Sequence, residues 1–226
     1  MSIRRRILGQ HFLNSQRFAQ KISEVAGAKG ETVVEIGSGK GILTRQLARE
    51  ASMVIAVEID RRLAGFLRSL AIPDVRVINQ DFLKIDLDAY DRLVVVGNIP
   101  YNITSAILEK LIADKRRLKK VVLCVQKEYG DKLMAHIGDA DYGYVTLYVN
   151  YHFHVRKEFS VPARFFSPRP KVSSVVVTLM PKAAELDEVQ EKDLFRFIAG
   201  VFRYRRKSVK NAVINYAEKL PQYLDD

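Results

Sequence analysis

Thr32-Val33-Val34-Glu35-Ile36-Gly37-Ser38-Gly39-Lys40-Gly41 is the stretch on which the fold turns. A β-branched apolar run carries an acid near its end, three glycines follow at alternate positions, and helical spacing resumes over residues 43–49. Glycines at such a junction let the chain turn tightly and bring bare backbone up to a ligand. Their spacing limits which ligand. A dinucleotide fingerprint wants its third glycine where Ile42 stands, and a phosphate-binding P-loop wants Ser or Thr after Gly39-Lys40, where Gly41 stands.

Outward from this turn, short apolar runs alternate with helical patterns. Thr32–Ile36, 53–58, Val75–Ile78, 93–97 and 120–126 read as strands, several apolar on both faces; 43–49, 61–70 and Thr104–Ala113 carry apolar residues at helical spacing. That alternation predicts a mostly parallel α/β sheet covered on both faces. Residues 151–159 and 173–179 read as two more strands without a long helical crossover, hence as antiparallel neighbours. A helix over 15–26, with Ser15 as N-cap, precedes the sheet. Residues 181–191 are polar and acidic and read as a linker. Leu194, Phe195, Ile198, Val201 and Phe202 then form an apolar helical stripe, and a second helix runs through Val209, Val213 and Tyr216. The expected organisation is an α/β domain over 1–180 and a short helical appendage over 181–226.

The 226 residues suffice for one sizeable core and a small appendage. With 48% apolar and 28% charged residues, composition fits a folded, soluble chain. No apolar run nears the ~18 residues of a bilayer span. The basic start Arg4-Arg5-Arg6 lacks the apolar core of a signal peptide. Cys124, the single cysteine, lies in the apolar run Val121-Val122-Leu123-Cys124-Val125, which suits a buried thiol and a reducing, cytoplasmic compartment. His152 and His154 share a face of the expected strand but have no third ligand, so no metal is expected. The net charge of +11 gathers at Arg4–Arg6, around Arg116 and Arg117, at Arg164, Arg169 and Lys171, and at Arg203–Lys207. Such a balance favours a polyanion partner.

Acids recur at the strand ends. The second strand closes on Val57-Glu58-Ile59-Asp60, where Glu58 can accept from a ribose diol while Asp60 suits a cap on the next helix. The third closes on Asn79-Gln80-Asp81-Phe82, where Asp81 can accept from an adenine amine with Phe82 beside it. Ligands of open α/β sheets gather outside the carboxyl ends of the strands, so the recurrence marks a cofactor site. Gly97-Asn98-Ile99-Pro100-Tyr101 follows the fourth strand. An amine conjugated to a purine is a poor nucleophile, because its lone pair is delocalised into the ring. The Asn98 side-chain oxygen and a neighbouring carbonyl can accept both amine hydrogens and steady the positive charge that alkylation creates. Tyr101 offers a ring for base stacking, worth ~1–3 kcal/mol, and Pro100 stiffens the turn.

With these residues in place, the glycine loop resembles motif I of S-adenosylmethionine-dependent methyltransferases. The whole set is similar to the KsgA-type rRNA adenine N6,N6-dimethyltransferases, relatives of the Erm enzymes. Gly9-Gln10-His11-Phe12-Leu13 resembles that family's G-Q-N-F-L segment, with His11 where Asn is frequent. Gln126-Lys127-Glu128 resembles its Q-K-E, Tyr142-Gly143 its Y-G, and Phe166-Ser167-Pro168-Arg169-Pro170-Lys171-Val172 its F-x-P-x-P-K-V. The matches run from Gly9 to Asn211.

The resemblance implies a Rossmann-like methyltransferase fold, a seven-stranded, mostly parallel sheet with one antiparallel strand inserted between neighbours, plus a helical C-terminal domain that helps hold RNA. It implies S-adenosylmethionine as methyl donor, S-adenosylhomocysteine as product and no metal. Gln10, His11, Leu13, Glu35, Gly37, Gly39, Gly41, Glu58, Ile59, Asp81, Phe82 and Asn98 would line the cofactor. Asn98, Ile99, Pro100, Tyr101 and Phe166 would hold the target adenine, Phe166 stacking opposite Tyr101. Arg116, Arg117, Arg169, Lys171, Arg205, Arg206 and Lys207 are the expected RNA contacts. The partner is small-subunit rRNA or a pre-ribosomal particle, met by a monomer, with no membrane involved. The short appendage fits reliance on an assembled particle. A large-subunit target shares the same motifs, a DNA adenine target fits the Phe166–Val172 segment less well, and a non-catalytic assembly factor would not need Asn98, Tyr101, Glu58 and Asp81 intact.

Overall fold

The computed structural model describes residues 11–219. In chain order the strands are β1 (Phe12–Leu13), β2 (Thr32–Ile36), β3 (Met53–Val57), β4 (Val75–Ile78), β5 (Leu93–Asn98), β6 (Leu118–Gln126), β7 (Phe153–Val161), β8 (Phe166–Ser167) and β9 (Ser174–Pro181). The helices are α1 (Gln16–Ala26), α2 (Ile42–Leu47), α3 (Arg61–Ser69), α4 (Thr104–Ala113), α5 (Lys127–Met134), α6 (Tyr144–His152), α7 (Glu188–Phe202) and α8 (Val209–Lys219).

The β-branched runs form a seven-stranded sheet in the order β4-β3-β2-β5-β6-β9-β7. β2, β3, β4, β5 and β6 are parallel, as helical crossovers require. β9 returns antiparallel between β6 and β7, which is the inserted strand that the resemblance implies. Successive residues of one strand face opposite layers. Val34, Val95 and Val121 join a core with Ile107, Leu111, Leu133 and Val149 from α4, α5 and α6. Val33, Val94 and Val122 join a second core with Ala19, Ile22, Leu43 and Leu47 from α1 and α2. Runs that are apolar on both faces are therefore central strands.

Local chemistry fixes the ends. Asp60 caps α3 by accepting from the Arg62 and Leu63 amides. Ser15 takes the expected N-cap position of α1 without a side-chain bond, and Gly27, at φ 64°, closes that helix in the left-handed conformation. Three expectations shift. Two helices, α5 and α6, lie between β6 and β7, and α6 holds Tyr151 and His152, so the strand expected at 151–159 runs Phe153–Val161. His152 thus ends a helix, and its supposed strand-face pairing with His154 does not exist. The linker expected over 181–191 is shorter, because Asp187 and Gln190 form a capping box that starts α7.

The appendage packs through Phe195, buried against Tyr148, Tyr151 and His152. The Tyr216 ring of α8 lies so close to Gly200 of α7 that an added Cβ would sit 2.1 Å from Cε2. No described helix is long and apolar enough to cross a membrane.

Candidate active site at the carboxyl ends of the strands

The glycine loop leaves β2 by three left-handed residues, Gly37, Gly39 and Gly41, with φ of 69°, 57° and 79°. The Gly37 and Ser38 amides donate to the Val57 carbonyl, which pins the loop to the end of β3. Glu58 completes the pinning: Oε2 accepts from the Gly39 amide at 2.8 Å and Oε1 from the Asp60 amide at 2.9 Å. Burial pushes the Glu58 carboxyl up from its ordinary pKa, against those two backbone N–H bonds. Glu35 is 2% exposed and accepts from Thr44 Oγ1 at 2.6 Å. Burial pushes it up to about 7.

Two cavities flank Gly37. The larger, about 160 Å³, is walled by Ile36, Glu58, Ile59, Asp81, Phe82 and Ile103 among others. Asp81 orients itself by accepting from the Leu83 amide at 3.0 Å. The smaller cavity, about 30 Å³, is walled by Phe12, Leu13, Glu35, Gly39, Lys40 and Asn98 among others. Ser38 Oγ, on its wall, is buried with no hydrogen-bond partner among the described residues. An orphaned hydroxyl and a buried acid suit a polar ligand end; the larger cavity suits a flat apolar one.

Beside the smaller cavity, β5 delivers the target-side residues. Gly97 is forced by close approach, since a Cβ would meet Ile99 Cδ1 at 2.7 Å and Ile36 Cβ at 3.0 Å. Asn98 Nδ2 donates to the His11 carbonyl at 2.6 Å, and the Ile99 amide donates to the Cys124 carbonyl at 3.0 Å. Pro100 precedes a short 3₁₀ turn over Tyr101–Ile103. The Tyr101 hydroxyl meets Ser174 Oγ at 2.8 Å, and burial raises its pKa. Cys124 is a buried thiol, pushed by burial up to about 12.

A strap crosses this site. β1 pairs antiparallel with β8, Leu13 opposite Phe166, and the Asn14 amide donates to the Phe165 carbonyl. Phe12 lies on the glycine loop, so that a Cβ on Gly39 would be 2.9 Å from its ring. His11 stacks on Tyr101, centroids 5.3 Å apart at 28°, and its Nδ1 donates to the Pro168 carbonyl at 2.7 Å. His11, Leu13, Glu35, the glycines, Glu58, Ile59, Asp81, Phe82, Asn98, Ile99, Pro100 and Tyr101 thus gather at one end of the sheet. Gln10 lies outside the described residues. Phe166 lies close to them in the backbone but is 2% exposed, its ring in the core with Leu13, so Tyr101 faces His11 here. Phe12, within the Gly9–Leu13 segment but not singled out there, completes the site with Ser174 and Thr44, whose own sequence contexts carry no signal.

The basic residues divide. Arg116 and Arg117 precede β6 and therefore lie at the opposite end of the sheet from Asn98. Arg117 is held by Asp91 at 2.8 Å and Asp88 at 3.4 Å, and Arg116 faces Glu188 at 3.5 Å. Arg169 and Lys171 are exposed on the segment between Phe166 and Ser174, on the site's side. Arg205 donates to the carbonyls of Asp139 and Ala140, fastening the appendage, while Arg206 and Lys207 are exposed. No group of three or more metal-ligating side chains occurs among the described residues.

A family model described as ribosomal RNA adenine dimethylase matches residues 1–224. The chain is 42% identical over 207 residues to Ribosomal RNA small subunit methyltransferase A of Thermotoga neapolitana, covering 90% of this chain and 77% of that one. It is 35% identical over 213 residues to the protein of the same name from Mesomycoplasma hyopneumoniae, covering 94% and 82%. Two of the similar solved structures show how far the likeness extends. A dimethyladenosine transferase from Plasmodium falciparum has a TM-score of 0.79 at 30% identity, covering 92% of this chain and 78% of that one. The 23S rRNA methyltransferase ErmE has 0.74 at 29%, covering 90% and 84%. By its sheet order, its site and these likenesses, the chain belongs to the ribosomal RNA adenine dimethylase family.

Proposed function

We propose that the cleft over the glycine loop holds S-adenosylmethionine and that the chain methylates N6 of adenine in small-subunit rRNA, carrying it to N6,N6-dimethyladenosine. The observation that carries this reading is the Asn98 amide. Its nitrogen is engaged by the His11 carbonyl, which leaves Oδ1 as the atom to meet an incoming amine. The donor set suits the cofactor. Each Glu58 oxygen accepts one backbone N–H and keeps lone pairs for a ribose diol. Asp81, Phe82 and Ile59 line the cavity that suits adenine, and Glu35 with Ser38 Oγ the one that suits the amino-acid end.

When bound, S-adenosylmethionine supplies a methyl carbon activated by its sulfonium sulfur. Tyr101 holds the base by stacking, while Asn98 Oδ1 and the Ile99 carbonyl accept the N6 hydrogens. These two oxygens would face the positive charge that methylation places on N6. The surplus proton then leaves to water. Rate comes from orientation and fixed dipoles rather than from a charged base. Extruding the base costs a few kcal/mol, least where it is already unpaired.

We assign phosphate contacts first to Arg169 and Lys171, then to Arg206 and Lys207; the paired Arg116 and Arg117 brace the far end of the sheet. The division proposed is a catalytic domain over 1–180 and an RNA-binding appendage over 181–226. The enzyme would act in the cytoplasm as a monomer, without a metal, on rRNA or a pre-ribosomal particle.

The test is methyl transfer from labelled S-adenosylmethionine to unmethylated small- and large-subunit particles and naked rRNA, read by nucleoside mass spectrometry. Mono- and dimethyladenosine from the small subunit is expected. Product from the large subunit alone would favour the second reading, for which the likeness to ErmE speaks. No methyladenosine from any substrate would refute catalysis.

A further inference from the structure

The ring on Tyr101 belongs to the protein itself. His11 lies 5.3 Å from Tyr101, centroid to centroid, at an interplanar angle of 28°. That separation leaves no gap for a second flat ring, since a base sandwiched between two aromatics needs them about 7 Å apart. His11 is also tied down on both sides: Nδ1 donates to the Pro168 carbonyl at 2.7 Å and the His11 carbonyl accepts from Asn98 Nδ2 at 2.6 Å. Phe166 cannot supply an alternative stacking face in this arrangement, because its ring is in the core.

We propose that the His11 imidazole is a stand-in for the target base, occupying its place on Tyr101 and leaving when adenine stacks there. The inference rests on the reading of Tyr101 as the platform for the target adenine. His11 leaves by rotating its side chain, which breaks the Nδ1–Pro168 bond and the stack. The His11 carbonyl stays on Asn98, so the amide that grips N6 keeps its orientation throughout. The imidazole keeps the platform covered between turnovers and sets a threshold that a weakly stacking base, such as a pyrimidine, fails to pass.

A seat held by a competitor reduces apparent affinity by the fraction of time that it is vacant. One aromatic stack shifts such an equilibrium roughly fivefold, so removing it should lower the RNA KM by about that factor. The experiment measures steady-state methylation of unmethylated small-subunit particles by the wild-type protein, His11→Ala and His11→Asn, with thermal melting to confirm folding. Asn removes the ring but keeps an N–H able to reach Pro168. A KM for particles about fivefold lower in both variants is the expected result. A residue that only supports the fold, or only holds the cofactor, cannot produce that gain. An unchanged or raised KM in both overturns the proposal, and so does a fall in only one of them, which would tie the effect to the Pro168 bond rather than to the stack. If the wild type forms no methyladenosine, the platform reading fails and the inference with it. If it does and KM does not fall, the inference fails alone.

Discussion

The acid inside the smaller cavity makes cofactor affinity depend on pH in a way that can be worked through. Glu35 is buried beside the glycine loop, lines that cavity, and titrates near 7 because burial disfavours its charged form. A ligand carrying an α-ammonium group binds the ionised form in preference. With a pKa of about 7, about one-tenth of Glu35 is ionised at pH 6 and about three-quarters at pH 7.5. Affinity for S-adenosylhomocysteine should therefore rise roughly eightfold across that interval, with uptake of ligand releasing a proton at the lower pH. The interval stops there because the ligand's own amine titrates at about 7.7–8.0. Isothermal titration calorimetry in buffers of different ionisation enthalpy reads both the Kd and the proton count. Glu35→Gln should flatten the profile and abolish the proton release. The sign for folding is opposite. The folded carboxyl holds its proton to about 7 while the unfolded one loses it near 4.5, so the unliganded protein loses stability as pH rises through that window, by roughly 3 kcal/mol in all. Glu58, also raised, slopes the same way, so the comparison with Glu35→Gln isolates Glu35. A wild-type Kd that stays flat from pH 6 to 7.5, or a Glu35→Gln variant that keeps the slope, would refute the reasoning.

Asn98→Ala should lower kcat by ~10²–10³ and raise the cofactor Kd far less, measured by single-turnover methylation and calorimetry; equal losses in both would contradict its role toward N6. Gly200→Ala drives a methyl group into the Tyr216 ring and should weaken α8 docking by ~1–3 kcal/mol, seen as faster amide hydrogen exchange over 209–219 with the sheet still protected. Arg169→Ala should flatten the log–log salt dependence of RNA binding by about one unit, whereas Arg117→Ala, whose guanidinium is held by Asp91 and Asp88 at the other end of the sheet, should leave the slope unaltered in a filter-binding series.

Legibility follows the range of the forces involved. The glycine loop was readable because left-handed backbone and close approach impose residue types locally, at Gly37, Gly39 and Gly41. The strands were readable because a two-faced core demands unbroken apolar runs, and Leu93–Val96 and Val121–Val125 have them. α6 was not. Tyr144-Val145-Thr146-Leu147-Tyr148-Val149-Asn150-Tyr151 is rich in β-branched and aromatic residues that favour strands. It is helical because Thr146 Oγ1 accepts from the Gly143 amide and donates to the Lys132 carbonyl, and because Val149 and His152 are buried. The Lys132 carbonyl, 14 positions away, and the core that buries Val149 lie outside any local window.

The site divides along the same line. Asn98 and Tyr101 announce themselves because the chemistry of an aryl amine dictates an acceptor and a flat ring in one short turn. What holds them does not: Asn98 is aimed by a carbonyl 87 positions away and Tyr101 by a hydroxyl 73 positions away. Charge is less legible still. Arg116 and Arg117 and Arg169 and Lys171 are equally basic on paper, but a parallel strand has a chemical end and an inert one, and only topology says which pair lies at which. A run preceding β6 must emerge opposite Asn98, whereas a run preceding the antiparallel β9 must emerge beside it, because Ser174, where β9 begins, is bonded to Tyr101. Reversing one strand thus decides which arginines can meet the phosphates around a base held on Tyr101, whereas Asp88 and Asp91 precede β5 as Arg117 precedes the parallel β6, so their pairing sits at the far end of the sheet without any loss to the site.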